Sequence, residues 1–372
     1  MHLEDIRFLC FGVGGMNGWV HIGILSALER ELIRRGTTMA TQINGASGAS
    51  IGSLIAVAVV LSMSAEEIKA YFLECTEKYR HKMGTPNVVN LLTKKGLMST
   101  DVLANVIRDL LARKFGNDMR DMTMAELHRL TQKTLFITTH NISKMRGEAI
   151  NHTTHPDIPV HKAVCMSCAI PGIFEPVEHD RSLYIDSGLS NELPFEVFNN
   201  MEATLAFYLV GDHKPAEPDA ITLQEFFYRI TCTFGLSTEH KINGLPEHLK
   251  SHVLWLRVPN MFGKAIQGIM LESDEQERLF NIGVAAGQTR LVHYEMAVLS
   301  QAATLYISSR RGLGVTLHPG PKISDVVVDG KFAAPDAPNV ARKDAVQAGA
   351  ALPENEPQKQ DVLDNVNVDA AE

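Results

Sequence analysis

Thr41-Gln42-Ile43-Asn44-Gly45-Ala46-Ser47-Gly48-Ala49-Ser50-Ile51-Gly52, followed at once by the apolar segment Ser53 to Met63, is the stretch on which the reading of this chain turns. A short β-like run passes through a cluster of small residues straight into a helix, and Gly48-Ala49-Ser50-Ile51-Gly52 within it matches G-x-S-x-G, the nucleophile-elbow pattern. Small flanking residues let the backbone turn sharply from strand to helix and hold a serine with its hydroxyl projecting from the turn. The helix that follows points its N-terminal amides at that serine, where negative charge develops in acyl transfer. G-x-S-x-G alone is a common accident; its position between a strand and a helix is what gives it weight.

Upstream, Ile6 to Phe11 is apolar and bounded by glycine, which predicts a buried first strand. Gly12-Val13-Gly14-Gly15-Met16-Asn17-Gly18 follows. A helix is expected over Trp19 to Arg35, with Val20, Ile24, Leu25, Leu28 and Leu32 at helical spacing and Gly36 as its stop. The second strand is expected to end at Ile43-Asn44-Gly45. Strand, glycine loop, helix, strand and elbow make a βαβα start, hence an α/β layered fold.

The glycine loop has three readings. One is a tight turn with close helix packing. Another is a dinucleotide fingerprint, but its spacing is one residue too long and no acidic residue ends the second strand. The third is an oxyanion hole, in which the amides of Gly14 and Gly15 approach an acyl carbonyl unobstructed by side chains. A loop one βα unit before the elbow lies beside it in a parallel sheet, and that favours the third.

Downstream, Ser64-Ala65-Glu66-Glu67 and Thr123-Met124-Ala125-Glu126 are capping-box helix starts. Arg80 to Ser99 reads as a basic loop, Thr100 to Lys114 as an amphipathic helix, and Thr134 to Thr139, Glu148 to Asn151, Leu205 to Val210 and Val253 to Val258 as strands. A strand over Ser182 to Ile185 ends in Asp186-Ser187-Gly188. That acid is either an Asx-turn residue or a carboxylate held at the C-terminal edge of the sheet, where doubly wound folds place their sites. Asp274 to Ser308 reads as a long helical region with a break expected near Gly287. From about Phe332 the composition predicts a disordered tail.

The 372 residues carry a formal net charge of -8, which argues against a nucleic-acid partner. The cysteines, Cys10, Cys75, Cys165, Cys168 and Cys232, lack the spacing of a secreted disulfide scaffold and read as free thiols in a reducing compartment. Cys165-Met166-Ser167-Cys168 spells C-x-x-C without a second pair, so packing is favoured over redox or metal chemistry. No cofactor and no metal is called for. The N-terminus leaves no room for a signal peptide, and no run reaches the roughly 18 apolar residues of a membrane span. A cytoplasmic protein, peripheral at membranes, is the expectation.

With these sites in hand the chain resembles the patatin-like phospholipases over roughly Ile6 to Ile307. Val13-Gly14-Gly15-Met16-Asn17-Gly18 stands where that family has its oxyanion loop, Gly48 to Gly52 matches its nucleophile motif, and Asp186-Ser187-Gly188 matches its Asp-Gly-Gly or Asp-Gly-Ala, with Asn191 and Pro194 downstream. Ser167-Cys168-Ala169-Ile170-Pro171-Gly172-Ile173-Phe174-Glu175-Pro176 is similar to its Ser-x-Ala-x-Pro-x-x-Phe-x-Pro segment, and Gly96-Leu97-Met98-Ser99 also fits. The resemblance implies a three-layer α/β/α fold with a central mostly parallel sheet over residues 1–310, a C-terminal extension over 311–331 and a tail over 332–372. It implies a lipid acyl hydrolase of phospholipase A or lysophospholipase type, working through a Ser50–Asp186 dyad and an acyl-enzyme, with Gly14 and Gly15 as oxyanion hole. The chain departs from the family at Val13, usually glycine, at Asn17, usually a cation, and at Ser187, usually glycine.

Two rivals remain. A Ser-Asp-His hydrolase would take its histidine from His213, His240 or His293. A catalytically silent lipid-binding module is the other. Either enzyme would meet a phospholipid or other acyl-lipid surface transiently, through apolar segments at Met83 to Leu97 or Met261 to Leu271.

Overall fold

In the computed structural model, which describes residues 2–82, 86–212, 215, 217–259 and 271–291, the strands are β1 (Phe8–Phe11), β2 (Gly45–Ala49), β3 (Gly96–Met98), β4 (Thr134–Asn141), β5 (Arg146–Ile150), β6 (Gly172–Phe174), β7 (Val177–His179), β8 (Ser182–Ile185), β9 (Thr204–Asp212) and β10 (Val253–Pro259). The helices are α1 (Gly18–Arg34), α2 (Met39–Gln42), α3 (Ile51–Val60), α4 (Ala65–Tyr79), α5 (Val88–Lys94), α6 (Asp101–Phe115), α7 (Met124–Thr131), α8 (Val160–Cys168), α9 (Leu223–Asn243), α10 (Glu247–Lys250) and α11 (273–291). The main sheet pairs in the order β10-β9-β1-β2-β4-β8-β7, with β5 also on β4, and β3 pairs with β6 separately.

The sheet is buried on both faces, as the alternation along β1 and β9 requires. Leu9, Phe11, Leu205, Phe207 and Leu209 join the core that contains α1 and α3, whereas Cys10, Ala206 and Tyr208 join a second core with Leu193, Phe195, Ile242 and Val253. Helices therefore flank a largely parallel sheet, as expected. On the first face α11 seats against α1 without intervening side chains: a Cβ on Gly23 would stand 2.0 Å from the Phe280 carbonyl oxygen.

β10, β9, β1, β2 and β4 run parallel, while β5 and β8 run antiparallel to β4. The register settles where the ends of β2 and β8 meet. β2 pairs with β4 as far as Ala49 opposite Thr138, and β5 occupies the other side of β4 from Ile137 to Asn141. β8 pairs with His140 and Asn141, where β5 is also present, so β8 lies on the β2 side of β4. β2 and β8 thus share one lane and approach each other head to head. The next residue of each, Ser50 and Asp186, falls level with Thr139.

Three expectations need correcting. The second strand is not the run ending at Gly45 but Gly45–Ala49 itself. Residues of low strand propensity form it because the lane has no room for larger ones: a Cβ on Gly45 would lie 2.5 Å from the Thr134 carbonyl oxygen. Met39 to Gln42 is helical instead, capped by Thr38 in a Thr38–Thr41 capping box. Within Arg80 to Ser99, α5 and β3 replace the expected loop. Helix 273–291 runs through Gly287 unbroken; the glycine serves packing rather than a break, since a Cβ there would lie 2.7 Å from the Ala27 Cβ and 3.3 Å from Ile24 of α1. Residues 311–331 and 332–372, and the end of the helical region beyond 291, lie outside the described residues.

Candidate active site

Ser50 sits between β2 and α3 at φ 53° and ψ -129°, a conformation costing on the order of 1–3 kcal/mol for a residue with a side chain. The motif glycines make that turn possible by close approach. A Cβ on Gly48 would lie 2.3 Å from the Gly52 carbonyl oxygen, and one on Gly52 would lie 2.3 Å from that of Phe11 and 2.6 Å from that of Gly12. The clashing atoms are backbone, so neither strand nor helix can relax without moving the other. Gly52→Ala is therefore expected to lower stability by about 1–3 kcal/mol and to displace the glycine loop. An unchanged thermal melt would show that the elbow does not depend on this contact.

The turn is clamped from three directions. The Ser50 N–H donates to Ser167 Oγ at 2.9 Å, and Ser53 Oγ donates back to the Ser50 carbonyl at 2.6 Å. Thr139 Oγ1 lies within hydrogen-bonding distance of the Met166 and Ile185 carbonyls, at 3.1 and 2.9 Å, so it ties the end of α8 to the end of β8. The Asp186 N–H donates to the Ala169 carbonyl at 2.9 Å. The elbow, the end of α8 and the loop after β8 are thus joined through buried hydrogen bonds. Ser167 belongs to a segment quoted above for its resemblance, but its bond to the Ser50 amide has no signal in the sequence.

Asp186 is 2 % exposed. Oδ1 accepts the Gly188 amide at 2.8 Å, while Oδ2 is buried without a hydrogen-bond partner. Burial pushes the carboxyl up to about 6; the Gly188 amide and the nearby Ser50 hydroxyl pull the other way. It is an Asx-turn residue and a buried carboxyl at once. Ser187, where glycine resembled the norm, is fully buried and is not at positive φ; nor is Val13. The side chains at these two departures therefore impose no left-handed strain. Behind the turn Cys168 lies 3.8 Å from Ser53 Oγ, and burial raises its thiol far above the reactive range. Cys10, Cys75 and Cys165 are likewise buried and unbridged; the Cys232 side chain is not described.

The glycine loop closes the site beside α3. The amides of Gly12 and Val13 are engaged by the Phe207 and Glu192 carbonyls, each at 2.9 Å, whereas those of Gly14 and Gly15 have no backbone carbonyl partner among the described residues. Gly15 sits at φ 51°, where glycine turns the chain into α1. His21 of α1 braces the loop, its Nε2 3.0 Å from the Gly12 carbonyl. Burial holds that imidazole down to about 4, so it is neutral and Nε2–H is the donor. Asn17 is buried at the start of α1, with its N–H on the Gly14 carbonyl.

His240 is exposed on α9, and His213 and His293 lie outside the described residues. No group of three or more His, Cys, Asp or Glu side chains that would hold a metal occurs among the described residues. What the arrangement offers is a strained, helix-capping serine, a buried carboxyl with one open oxygen, and two open amides. That is the equipment for proton abstraction from a hydroxyl and for stabilising an oxyanion.

The family profile described as Patatin-like phospholipase matches residues 9–199, more than half of the chain, and includes Gly14, Gly15, Ser50, Ser167 and Asp186. An uncharacterized protein of Acanthamoeba polyphaga mimivirus, R571, is 26% identical over 297 residues, covering 78% of this chain and 95% of its own. Probable lipid hydrolase 463L of Invertebrate iridescent virus 6 is 24% identical, covering 51% of this chain and 62% of its own. Triacylglycerol lipase ptl2 of Schizosaccharomyces pombe is 29% identical, covering 63% of this chain and 36% of its own. The chain thus spans less than two thirds of these last two proteins. Among solved structures, VipD of Legionella pneumophila matches with a TM-score of 0.46 at 14% identity, covering 78% of this chain and 67% of VipD.

Proposed function

The chain belongs to the patatin-like phospholipase family, and on that premise we propose that it is a serine acyl hydrolase cleaving acyl esters of phospholipids or lysophospholipids, with the activity carried by residues 1–310. Ser50 is the nucleophile, Asp186 the general base, and the Gly14 and Gly15 amides the oxyanion hole. Supporting this is the head-to-head meeting of β2 and β8, which brings Ser50 level with a buried carboxyl whose Oδ2 has no partner.

In the first step Oδ2 takes the Ser50 proton as Oγ attacks the ester carbonyl; the oxyanion is met by the two open amides, and the alcohol leaves with the proton returned by Asp186. Water, deprotonated by the same carboxylate, then attacks the acyl-enzyme and releases the fatty acid. The free pKa values of a carboxyl and a serine hydroxyl lie roughly ten units apart, so the carboxylate is a weak base here. Burial narrows that gap by raising Asp186, and the oxyanion hole supplies the remainder. A panel of phospholipids, lysophospholipids and acylglycerols offered to the purified full-length chain tests the proposal. Acyl release from at least one is expected. No release, together with no reaction with a fluorophosphonate, would leave the silent lipid-binding module.

The same proposal has the protein work at a lipid surface. No helix among the described residues is long and apolar enough to cross a membrane. On α5, Val88, Val89 and Leu92 are 61, 64 and 82% exposed, with Lys94 and Lys95 at its C-terminal end. Ordinary packing does not account for these three, whereas Leu91 packs on the β3–β6 cluster. Of the second segment, Leu271 is buried and residues 261–270 lie outside the described residues. Inserting a Val or Leu side chain into the acyl boundary contributes about 1.5–3 kcal/mol. Val89→Asp and Leu92→Asp in a Ser50→Ala background are therefore expected to reduce co-sedimentation with anionic vesicles by roughly tenfold or more each. Folded variants that bind like their parent would remove α5 from the contact.

A further inference from the structure

Glu192 is a buried acid that the proposed mechanism does not use. It follows Asp186 by six residues, and its main chain and side chain reach in different directions. Its carbonyl accepts the Val13 N–H at 2.9 Å and packs so closely on Gly12 that a Cβ there would come within 3.1 Å. Its Oε2 accepts the Tyr208 hydroxyl of β9 at 2.8 Å, and the buried Thr238 of α9 stands beside the carboxyl. α9 in turn packs across the turn Ser187–Leu189 that follows Asp186.

We infer that Glu192 is a positioning residue that pins the Asp186 loop to the glycine loop through its main chain and to β9 and α9 through its carboxyl, so fixing the Gly14 and Gly15 amides relative to Ser50. The inference rests on the assignment of Ser50, Asp186 and the two amides made above. The charged and titratable groups facing the carboxyl are Asp186 on its own loop, Tyr208 on β9 and Glu239 on α9; among the described residues no cation pairs with it. Burial, and then the charge of Asp186, push it up to about 7, against the Tyr208 and Thr238 hydroxyls. A neutral carboxylic acid still accepts the Tyr208 hydroxyl without setting a second buried anion beside Asp186. Ionisation above pH 7 places that anion there and favours a displaced loop.

The test is the rate at which a fluorophosphonate labels Ser50, followed from pH 5 to 9 in the full-length protein, Glu192→Gln, Glu192→Ala and Tyr208→Phe. Reaction at Ser50 reports the base and the oxyanion amides without requiring the natural lipid. Wild type is expected to rise through about pH 6 as Asp186 ionises and to fall past about pH 7 as Glu192 ionises. Glu192→Gln, which keeps the acceptor for Tyr208 and cannot ionise, should label at close to the wild-type rate at pH 6.5 and lose the alkaline fall. Glu192→Ala should label at least roughly tenfold more slowly at every pH, since small displacements of catalytic groups are costly. Tyr208→Phe should slow in the same direction by less. A Glu192→Gln profile that superimposes on wild type, or Tyr208→Phe and Glu192→Ala labelling at the wild-type rate, overturns the inference. If Glu192→Ala does not fold, the Gln and Phe variants decide it. Absence of any label at Ser50 in wild type would instead refute the underlying assignment.

Discussion

Ser50→Ala is expected to remove acyl release and fluorophosphonate labelling by at least ~10³-fold, while Ser47→Ala leaves both in place. The two serines are three residues apart and both are buried, so accessibility does not separate them. Hydrogen bonding does. Ser47 Oγ donates to the Pro194 carbonyl at 3.1 Å, inside the pairing part of β2, and makes no hydrogen bond to a carboxyl among the described residues. Ser50 stands beyond the strand end, level with Asp186. Ser47→Ala removes one buried hydrogen bond and should lower stability by about 1 kcal/mol, seen as a modest fall in Tm. Turnover retained by Ser50→Ala on the lipid that wild type hydrolyses would sink the nucleophile assignment.

Asp186→Asn keeps the shape and the acceptor for the Gly188 amide but cannot take a proton, so turnover should fall by at least ~10²-fold with the fold intact. The same substitution should raise stability at neutral pH. With its carboxyl raised from 3.8 to about 6, the folded protein holds a proton that the unfolded chain has lost, so stability falls as pH rises from 3.8 to about 6. Above pH 6 the full penalty is present, on the order of 3 kcal/mol for roughly two pKa units. Asp186→Asn should therefore melt higher than wild type at pH 7.5 and lose that advantage below pH 4. Wild-type kcat/KM should show an acid limb near pH 6, because the base must be ionised. Should His213→Ala, His240→Ala or His293→Ala abolish turnover while Asp186→Asn does not, a Ser-Asp-His mechanism would replace the dyad.

The elbow was legible because close approach of backbone at Gly48 and Gly52 leaves a fixed spacing in the sequence, and the capping boxes at Ser64 and Thr123 were legible because both partners are local. β2 was placed too early because Gly-Ala-Ser-Gly-Ala has no intrinsic strand preference and forms a strand only through its neighbours β1 and β4. The direction of β8 was not legible at all. Four residues carry no sign of whether they run with the sheet or against it, yet the antiparallel entry of β8 into the β2 lane is what brings Asp186 to Ser50. α5 escaped notice because seven residues with none buried have no core-facing stripe to read.

For the site, the residues named from motifs all lie around one turn, but the groups that hold them do not announce themselves. Ser167 supports the Ser50 amide, Thr139 joins α8 to β8 through two carbonyls, and His21 braces the glycine loop. Each is a common residue type acting across more than eight positions of sequence, and contacts of that kind follow from the fold rather than from a local pattern. Glu192 is the clearest case: in sequence it is an ordinary acid before Leu193-Pro194, and only the sheet puts it between Val13, Tyr208 and Thr238.

The most direct test of the central assignment is to label the wild-type protein with a fluorophosphonate, digest it, and locate the adduct by mass spectrometry. The adduct is expected on Ser50, in one copy per chain, and labelling is expected to be lost when Asp186 is replaced by Asn. An adduct on Ser47 or on any other serine, with Ser50 unmodified, would contradict the account.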